Sequence, residues 1–519
     1  MRAFPAGDAA VLLDLADAGS AAQLALAIRA AGLRGVRDVV PGARTVLVTV
    51  EPGTWDTREL SERLTSLPPV DDTATAATPV VEIGVCYDGP DLADVAALTG
   101  LPVREVIARH EAARYRVGWL GFMPGFGYLT GLDPALGQVP RLDTPRVSVP
   151  AGSVAIAGGL AAVYPGTSPG GWRLLGRTDE KLWDPERVPP ALFAPGTRVR
   201  FRAVENLAHD AVTGSRPAPG RAPASGSGRT AEVLQPGPLT TVQDLGRPGS
   251  GHLGVPHSGA ADRASLRLAN ALVGNEAGAA GLEVTLGRLG LRFYCDALVA
   301  IAGAPAPIRL SSPDGVQSEP RPSTAFAVSA GTVLRLGSPS AGLRSYLAVD
   351  GGIDVPPVLG SRSADLLSGL GPPPLRSGDT LPLATRRRQP EWAGAAVRIP
   401  ALPDATAELQ AVAGPRDDWF TAEALAALTS GSYQVTAASN RTGLRLAGPR
   451  LDRRQRAELP SEGMATGSLQ VAHDGQPILL LADHPTTGGY PVIAVVRSTD
   501  IDAAAQLRPG QSVRFRMSR

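Results

Sequence analysis

Glycine and proline limit what this chain can fold into more than any other feature of its sequence. The 519 residues include 60 Gly and 48 Pro. Between residues 116 and 202, Pro-Gly or Gly-Gly pairs recur at intervals of roughly 8–12 residues, a spacing typical of short antiparallel strands joined by tight turns. The pattern predicts a small β-barrel in this region and a mainly β fold with α+β elements for the whole chain.

The composition and charge exclude several classes of protein. Lys+Arg is 50 and Asp+Glu is 49, so the net charge is near zero and we expect neither a nucleic-acid nor a membrane partner. No run of about 18 apolar residues is present to span a bilayer. Cys86 and Cys295 lie far apart and neither belongs to a CxxC pair, which is typical of a reducing compartment. We therefore expect a cytoplasmic protein.

Common metal and phosphate motifs are missing from the sequence. The six histidines form no HxH or HExxH pattern, so no metal site is predicted, although His252 and His257 share a Gly-Pro loop. Lys181 is the only lysine, and no GxxxxGK[ST] sequence occurs, which excludes a Walker A phosphate loop. Any nucleotide site in this chain must use backbone amides, hydroxyls and arginines.

Composition divides the chain into two halves. Residues 209–230 are rich in Pro, Gly, Ala and Ser without apolar periodicity, and we interpret them as a flexible linker. A charged stretch at 386–395 favours a further division of the second half. The predicted domains are an N-terminal α+β domain at 1–78, a barrel at 79–208, and two sub-domains at 231–390 and 391–519.

The two halves end in similar sequences. Residues 194–202 read APGTRVRFR and residues 508–516 read RPGQSVRFR. In each, a Pro-Gly turn leads into a strand of alternating Val or Phe and Arg. The shared ending suggests that both halves descend from one fold.

The first half contains three segments with candidate site residues. The segment Gly118–Thr130 reads GWLGFMPGFGYLT, in which glycines allow backbone N–H groups to approach a small ligand, while aromatic core packing is the alternative interpretation. Arg141 and Arg146 stand near Pro-fixed turns and can grip a carboxylate or phosphate bidentately, although single surface arginines are usually solvated. Ser153 lies in a run of small residues that either approaches a ligand or packs between strands.

The second half offers fewer and more separated candidates. Gln243 and Asp244 can orient a substrate, while in the simpler interpretation Asp244 and Arg247 form a local ion pair in a turn. Glu462 is a candidate acid, base or metal ligand, although a lone Glu in a loop is usually solvated.

Ordered motifs over nearly the whole chain resemble two known families. Residues 80–202 are similar to the KipI family, the B-type subunit of 5-oxoprolinase, and residues 232–516 to the KipA family, its C-type subunit. The first similarity rests on the motifs GFMPGF at 121–126, VPAGSVAIAG at 149–158 and SPGGW at 168–172. The second rests on TTVQDLGR at 240–247, SEG at 461–463 and TTGGY at 486–490.

The resemblance implies a fusion of the B-type and C-type subunits of an ATP-dependent 5-oxoprolinase, which opens the lactam of 5-oxoproline to L-glutamate. It implies cyclophilin-like β-barrels in both halves, ATP and Mg²⁺ in the reaction, and a separate 5-oxoprolinase A-type subunit as partner. We expect no biotin on this chain and a homodimer of the fused chain. In such a reaction, arginines would hold the ring carboxylate and the transferring phosphoryl group.

The candidate residues take two roles under this resemblance. The catalytic candidates are Arg141, Arg146, Arg177 and Glu462. The substrate-binding candidates are Phe122, Pro124, Gly125, Phe126, Tyr128, Ser153, Gln243, Asp244, Arg247, Arg362, Arg441, Thr486, Thr487 and Tyr490.

Two other functions stay open at the level of sequence. The paired domains also resemble the carboxyltransferase part of urea carboxylase, so a biotin-dependent carboxyltransferase acting on urea or a related amide is the first alternative. A biotin carrier needs a lysine flanked by Met, and Lys181 lies in Asp-Glu-Lys-Leu, so biotin would reside on a separate carrier. The second alternative is a KipI-type inhibitor of a histidine kinase, for which the second half would not be needed.

Overall fold

Short strands dominate the computed structural model, which describes residues 1–67, 80–207, 228–385, 402 and 406–518, except 143, 145 and 456. The prediction of a mainly β fold is confirmed. Residues 209–227 of the predicted linker, the charged stretch 386–395 and the predicted boundaries at 78, 208 and 390 lie outside the described residues, so these domain limits stay predictions. Within the described ranges, no helix is both long and apolar enough to cross a membrane.

The N-terminal part is an antiparallel four-stranded sheet backed by two helices. Aspartates fix the helix starts, since Asp17 accepts a hydrogen bond from Ser20 N and Asp56 accepts one from Arg58 N. One apolar core lies between the sheet and the helices. The elements are β1 (Arg2–Pro5), β2 (Ala10–Asp14), α1 (Ala18–Ala30), β3 (Val36–Pro41), β4 (Thr45–Val50) and α2 (Thr57–Thr65), in the sheet order β1-β2-β4-β3.

The remainder of the first half is a nearly closed barrel of seven strands. Its interior is filled by apolar and aromatic side chains, in agreement with the predicted barrel. Its first elements are β5 (Val80–Val85), α3 (Leu92–Thr99), α4 (Val103–Ala112), β6 (Tyr115–Leu120), β7 (Gly127–Thr130) and β8 (Arg146–Val149). They are followed by β9 (Ser153–Ala157), β10 (Leu160–Val163), β11 (Ser168–Gly170), β12 (Arg173–Arg177) and β13 (Arg198–Ala203). The sheet order is β12-β9-β10-β7-β6-β13-β5, and β8 and β11 form a separate ribbon.

The second half begins with two sheets packed around one apolar core. The first elements are β14 (Thr230–Pro236), β15 (Leu239–Gln243), α5 (Arg263–Leu272), β16 (Gly281–Thr285), β17 (Leu289–Phe293) and β18 (Ala297–Gly303). They are followed by β19 (Ile308–Ser311), β20 (Gln317–Ser318), β21 (Ala325–Val328), β22 (Val333–Leu336), β23 (Arg344–Val349) and β24 (Thr380–Pro382). The sheet orders are β20-β19-β22-β17-β14-β24 and β15-β16-β23-β18-β21.

A closed barrel completes the second half. Its first elements are β25 (Thr406–Ala413), α6 (Ala422–Ser430), β26 (Tyr433–Val435), β27 (Gly443–Ala447), β28 (Glu462–Gly463) and β29 (Ser468–Val471). They are followed by β30 (Pro477–Leu480), β31 (Thr487–Gly488), β32 (Val492–Val496), α7 (Ile501–Ala505) and β33 (Ser512–Met517). The barrel order is β25-β32-β29-β30-β27-β26-β33, and β28 pairs with β31 in a ribbon.

The two barrels share one topology. When the seven barrel strands are counted in chain order, both barrels run first-seventh-second-third-fifth-fourth-sixth. In both, the last strand pairs in parallel with the first, β13 with β5 and β33 with β25. The similar sequences at 194–202 and 508–516 contain these last strands, so the shared topology supports the prediction that both halves descend from one fold.

Candidate functional site

Close contacts join the first-half barrel to the second barrel. Phe122 N donates to Thr487 Oγ1 at 2.7 Å, and the Tyr128 hydroxyl lies 3.3 Å from the same oxygen. Ser461 Oγ donates to the Tyr128 hydroxyl at 3.3 Å. A Cβ atom at Gly121 would lie 2.5 Å from Thr487 Oγ1, so only glycine permits this approach. The structure thus brings Phe122, Tyr128 and Thr487 together, as predicted site residues, at a contact between the barrels.

The N-terminal sheet docks on the second barrel through buried ion pairs. Arg416 Nε donates to both carboxylate oxygens of Glu462, at 2.9 and 3.1 Å, and Arg416 Nη2 donates to Asp14 at 3.0 Å. Burial lowers the pKa of Arg416, but the two carboxylates outweigh burial and hold this pKa above its usual range. The sequence predicts that Glu462 is either catalytic or solvated. In the structure it is 3% exposed, and both of its carboxylate oxygens accept hydrogen bonds from Arg416. This position favours a role for Glu462 in stabilising the domain contact.

A cleft lies where the N-terminal sheet, the segment 251–267 and the second barrel meet. Its volume is about 460 Å³, which is within the usual range of small-molecule sites. A neighbouring depression of about 560 Å³ shares Arg37, His257 and Arg263 with the cleft. The polar side chains that line the cleft include Arg37, Asp38, His257, Arg263, Arg267, Thr466, His484, Thr486 and Asp502.

The segment 255–262 carries His257 to the cleft. Ser258 next to it has a φ of 53°, a left-handed conformation that non-glycine residues rarely adopt. Its hydroxyl is fully buried and lies within hydrogen-bond distance of Asp483 Oδ1 at 2.7 Å and Ala364 O at 3.1 Å. These contacts hold the segment in one conformation and so fix the position of the His257 imidazole.

The predicted motif around Asp244 and Arg247 supports this segment from behind. Arg247 N donates to His257 O at 2.8 Å, and Asp244 O accepts from Ala260 N at 2.9 Å. The Asp244 carboxylate accepts from Ser361 Oγ at 2.7 Å, while the Arg247 guanidinium donates to backbone carbonyl groups. The simple interpretation of a local Asp244–Arg247 ion pair is therefore wrong, since each side chain bonds to other groups. Both residues position His257.

The contact between Arg263 and His257 determines which imidazole nitrogen carries hydrogen. His257 Nδ1 lies 2.6 Å from Arg263 Nη2 and 3.3 Å from Ser258 O. A guanidinium can only donate, so in the shorter contact Nδ1 accepts and the hydrogen resides on Nε2. Burial, together with the positive charges of Arg263 and Arg37, lowers the pKa of His257 well below its usual value. His257 is therefore a neutral imidazole with an Nε2–H donor at neutral pH.

A second neutral imidazole lies on the barrel side of the cleft. His484 Nδ1 donates to Pro485 O at 2.8 Å, which leaves Nε2 to accept from Thr466 Oγ1 at 3.0 Å. Burial lowers the pKa of His484 below its usual value. The buried hydroxyl of Thr486 has no hydrogen-bond partner within the described part of the chain. Thr486 lines the cleft, so its hydroxyl is a candidate donor to a ligand there.

Asp38 titrates at an unusual pH because it is buried in the cleft wall. Its carboxylate accepts a hydrogen bond from Gly251 N at 2.7 Å, which ties the N-terminal sheet to the second half. Burial raises the pKa of Asp38 to about 6, while this hydrogen bond opposes the shift.

Replacing Asp38 by Asn is expected to reduce the pH dependence of stability between pH 4 and 7. Because the folded-state pKa is raised from 3.8 to about 6, the stabilisation from protonating Asp38 is complete below pH 3.8 and is lost as the pH rises through 6. The shift of about two pH units corresponds to roughly 3 kcal/mol. The melting temperature of the wild type, relative to that of Asp38→Asn, should therefore fall from pH 4 to pH 7. An unchanged difference would contradict this assignment.

Arg441 lies behind the cleft in a fully buried network. Its Nε donates to Asp483 at 2.8 Å, its Nη1 to Glu283 at 2.5 Å and its Nη2 to Gly259 O at 2.6 Å. Arg441 is only 2% exposed. Since all three nitrogens donate to the protein, this predicted substrate-binding residue joins the two parts of the second half instead of facing a ligand.

Of the predicted site residues, Thr486 is the one that lines the cleft. Arg146 pairs with Asp91 at 2.6 Å and Arg177 with Asp88 at 2.8 Å, both on the first barrel. Arg141 approaches the second barrel, since a Cβ atom at Gly489 would lie 2.9 Å from its Nη1. The remaining predicted site residues also lie outside the cleft lining, namely Pro124, Gly125, Phe126, Ser153, Gln243, Arg362 and Tyr490.

Sequence reasoning missed most polar groups of the cleft. Arg37, Arg263 and His484 belong to separate segments, so no spacing in the sequence connects them. From sequence, His257 is a candidate only for a metal site shared with His252. The Gly-Pro loop that contains His257 was the one indication of an unusual backbone, and the structure shows that this loop positions the imidazole.

The donor set of the cleft suits some ligands better than others. Among the described residues, no three His, Cys, Asp or Glu side chains converge on a point that could hold a metal ion. Lys181 pairs with Asp184 at 2.8 Å, away from the cleft lining. The guanidinium, imidazole and hydroxyl groups suit a small carboxylate or amide, and they do not form a phosphate-binding loop or a carboxylate set for Mg²⁺. We therefore derive no step through ATP or Mg²⁺.

Comparison with known families shows to which family this architecture belongs. The family described as "Carboxyltransferase domain, subdomain C and D" matches residues 1–193, and "Carboxyltransferase domain, subdomain A and B" matches residues 253–517. The chain belongs to the carboxyltransferase-domain family. Its two halves are homologous to two separate proteins, the B-type and C-type subunits of 5-oxoprolinase, and are fused here in one chain.

Individual relatives support this fused arrangement. The C-type 5-oxoprolinase subunit of Escherichia coli (strain K12) is 41% identical over 296 residues, which are 55% of this chain and 90% of that protein. The B-type 5-oxoprolinase subunit of Escherichia coli O157:H7 is 38% identical over 207 residues, 38% of this chain and 94% of that protein. A urea amidolyase from Lachancea kluyveri is 35% identical over 55% of this chain but only 17% of its own length.

A solved structure matches both halves at once. The crystal structure of TTHA0988 aligns with a TM-score of 0.86 and 37% identity, covering 98% of this chain and 99% of that chain. The resemblance drawn from the sequence motifs is confirmed by these comparisons.

Proposed function

We propose that this chain combines the B-type and C-type subunits of an ATP-dependent 5-oxoprolinase, which opens the lactam of 5-oxoproline to L-glutamate together with a separate A-type subunit. One observation carries the proposal beyond homology. The cleft is lined by residues 6–52 from the B-type half and by residues 251–267 and 464–502 from the C-type half. Because neither half encloses the cleft alone, both are needed to form the site.

The groups in the cleft suit chemistry at an amide carbonyl. A lactam resists attack by water unless charge that develops on its carbonyl oxygen is stabilised by fixed donors. The Nε2–H group of His257 and the hydroxyl of Thr486 can act as such donors without carrying a net charge. ATP would supply the free energy that makes ring opening favourable. The protein's own contribution is to hold the lactam, orient donors at its oxygen and exclude bulk water.

The proposal predicts that glutamate appears only from the complete system. Purified chain, the A-type subunit from the same source, ATP, Mg²⁺ and 5-oxoproline should release glutamate, and omission of any one component should abolish the release. The measurement is glutamate formation over time, with circular dichroism to show that both proteins are folded. No glutamate from the complete mixture would refute the proposal, and release without the A-type subunit would refute its requirement for that partner.

A carboxyltransferase is the second candidate, because the family is described by that activity and a urea amidolyase is among the relatives. The chain would then act on a separate biotin carrier, since Lys181 lacks the flanking Met of a biotin site. Urea-dependent consumption of a carboxylated biotin carrier, without glutamate release from 5-oxoproline, would favour this function over the first.

Location and assembly complete the proposal. We place the complex in the cytoplasm, where ATP is available, and expect the fused chain to form a homodimer. Light scattering of the purified chain should then give twice its mass of 53.4 kDa, and a mass of 53.4 kDa would contradict the dimer.

A further inference from the structure

One end of the cleft contains arginines that lack a carboxylate partner. Arg263 is partly buried and its guanidinium donates to His257 Nδ1 at 2.6 Å. In the part of the chain that the structure describes, no ion pair joins the guanidinium of Arg263 or Arg267 to a carboxylate, whereas Arg37 pairs with Glu51. Arg267 is exposed, but Arg263 is partly buried. A partly buried charge without a partner is costly, so an acceptor from outside the protein would complete the environment of Arg263.

The carboxylates of the cleft do not supply this acceptor. Each already accepts hydrogen bonds from the protein: Asp8 from Ser498, Asp38 from Gly251, Glu51 from Arg37, and Asp502 from the backbone N–H groups of Arg263 and Ala264. Burial and the positive charges of Arg37 and Arg267 lower the pKa of Arg263 to about 10, although the carboxylates of Asp502 and Glu51 oppose this shift. The unsatisfied groups at this end are therefore donors.

The rest of the cleft determines what kind of anion fits. Its wall is largely apolar, with side chains that include Ala10, Val40, Val255, Met464 and Val495. A nucleoside triphosphate would bring several negative charges close to the four carboxylates, which repel them. A small ring with one carboxylate instead places its apolar atoms against the wall and its single charge beside the arginines.

We infer that Arg263, with Arg267 beside it, binds the carboxylate of a small cyclic amide, and that His257 Nε2–H and the Thr486 hydroxyl donate to the amide oxygen of the ring. The inference rests on the proposed function for the identity of this amide, 5-oxoproline. Arg263 thus sets the substrate class, because it distinguishes a lactam that carries a carboxylate from one that does not.

Calorimetric binding to the intact chain tests the inference with two ligands. One is 5-oxoproline and the other is 2-pyrrolidinone, which has the same lactam ring without the carboxylate. The variants are Arg263→Gln, which removes the charge, and Arg263→Lys, which keeps the charge but loses the planar fork. Arg309→Gln is the matched control, because Arg309 is exposed on β19 and pairs only with the exposed Glu319.

We expect Arg263→Gln to weaken 5-oxoproline binding about 10- to 100-fold, Arg263→Lys to weaken it less, and Arg309→Gln to leave it unchanged. The wild type should bind 2-pyrrolidinone much more weakly. Arg263→Gln should weaken 5-oxoproline binding far more than 2-pyrrolidinone binding, which changes only through the lost guanidinium donor to His257 Nδ1. Unchanged 5-oxoproline binding in a folded Arg263→Gln variant, or equal binding of the two ligands by the wild type, would overturn the inference.

Turnover by the complex with the A-type subunit separates failure of the inference from failure of the proposed function. If the wild-type complex releases glutamate and Arg263→Gln leaves KM for 5-oxoproline unchanged, the inference falls while the function stands. If the wild-type complex releases no glutamate but the chain binds 5-oxoproline through Arg263, the binding site stands and the proposed function falls.

Discussion

Replacing Arg441 by Ala is expected to lower the melting temperature by roughly 10 °C. Among the described residues, the change leaves Asp483 buried without an ion-pair partner, while Glu283 keeps only Arg344, at 3.4 Å. Removing one partner of a buried ion pair typically costs about 3–5 kcal/mol, because the remaining charge stays desolvated. The same change frees Gly259 O, which accepts from Arg441 and belongs to the segment that carries His257. Glutamate release should therefore fall together with stability.

Arg445→Ala provides the matched control for this prediction. Arg445 belongs to the same barrel, on β27, but its side chain is exposed. Its replacement should change stability by less than about 0.5 kcal/mol. Scanning calorimetry at one fixed scan rate compares the three proteins. A melting temperature of Arg441→Ala within about 2 °C of the wild type would show that the buried network does not hold the two parts of the second half together.

Replacing Gly254 by Ala is expected to disrupt the contact between the first barrel and the second half. Gly254 has a φ of 78°, and a Cβ atom there would lie 2.3 Å from Met123 O, a backbone atom that no rotamer change can move away. The clash would separate Leu253 O from Gly125 N, which are 3.0 Å apart. We expect a loss of several kcal/mol and a shifted 251–257 loop, with glutamate release reduced at least tenfold.

Gly369→Ala is the control that separates the effect of the clash with Met123 from the effect of backbone strain. Gly369 has a φ of 73°, close to that of Gly254, but no atom lies within 4 Å of its added Cβ position. The left-handed backbone alone costs about 1–2 kcal/mol. Melting temperatures and glutamate release are compared for both variants. Equal effects of the two substitutions would mean that the contact with Met123 contributes nothing.

The barrels could be predicted from sequence because turn chemistry is local. Gly and Pro pairs determine where short strands end, and the region 116–202, where these pairs recur, forms strands β6 to β13. The ending shared by 194–202 and 508–516 also indicated the repeated topology, since these residues form the last strand of each barrel.

The cleft could not be predicted in the same way, because it forms between parts of the chain that are far apart in sequence. Arg37 and Arg263 are brought together only when the N-terminal sheet docks on the second half. Arg247 and Arg441 illustrate the opposite error. Both are predicted from sequence as substrate-binding residues, but tertiary packing buries both, and they support the His257 segment instead. Sequence patterns do not distinguish a buried arginine from one that faces a ligand.

A crystal structure of the chain with 5-oxoproline bound would show whether both halves form one substrate site. We predict that the ring lies in the cleft between the N-terminal sheet and the second barrel, with its carboxylate about 3 Å from the Arg263 guanidinium. A ring bound instead beside Arg141 and Thr487 would contradict this prediction. The substrate site would then lie at the contact between the two barrels, where several predicted site residues meet.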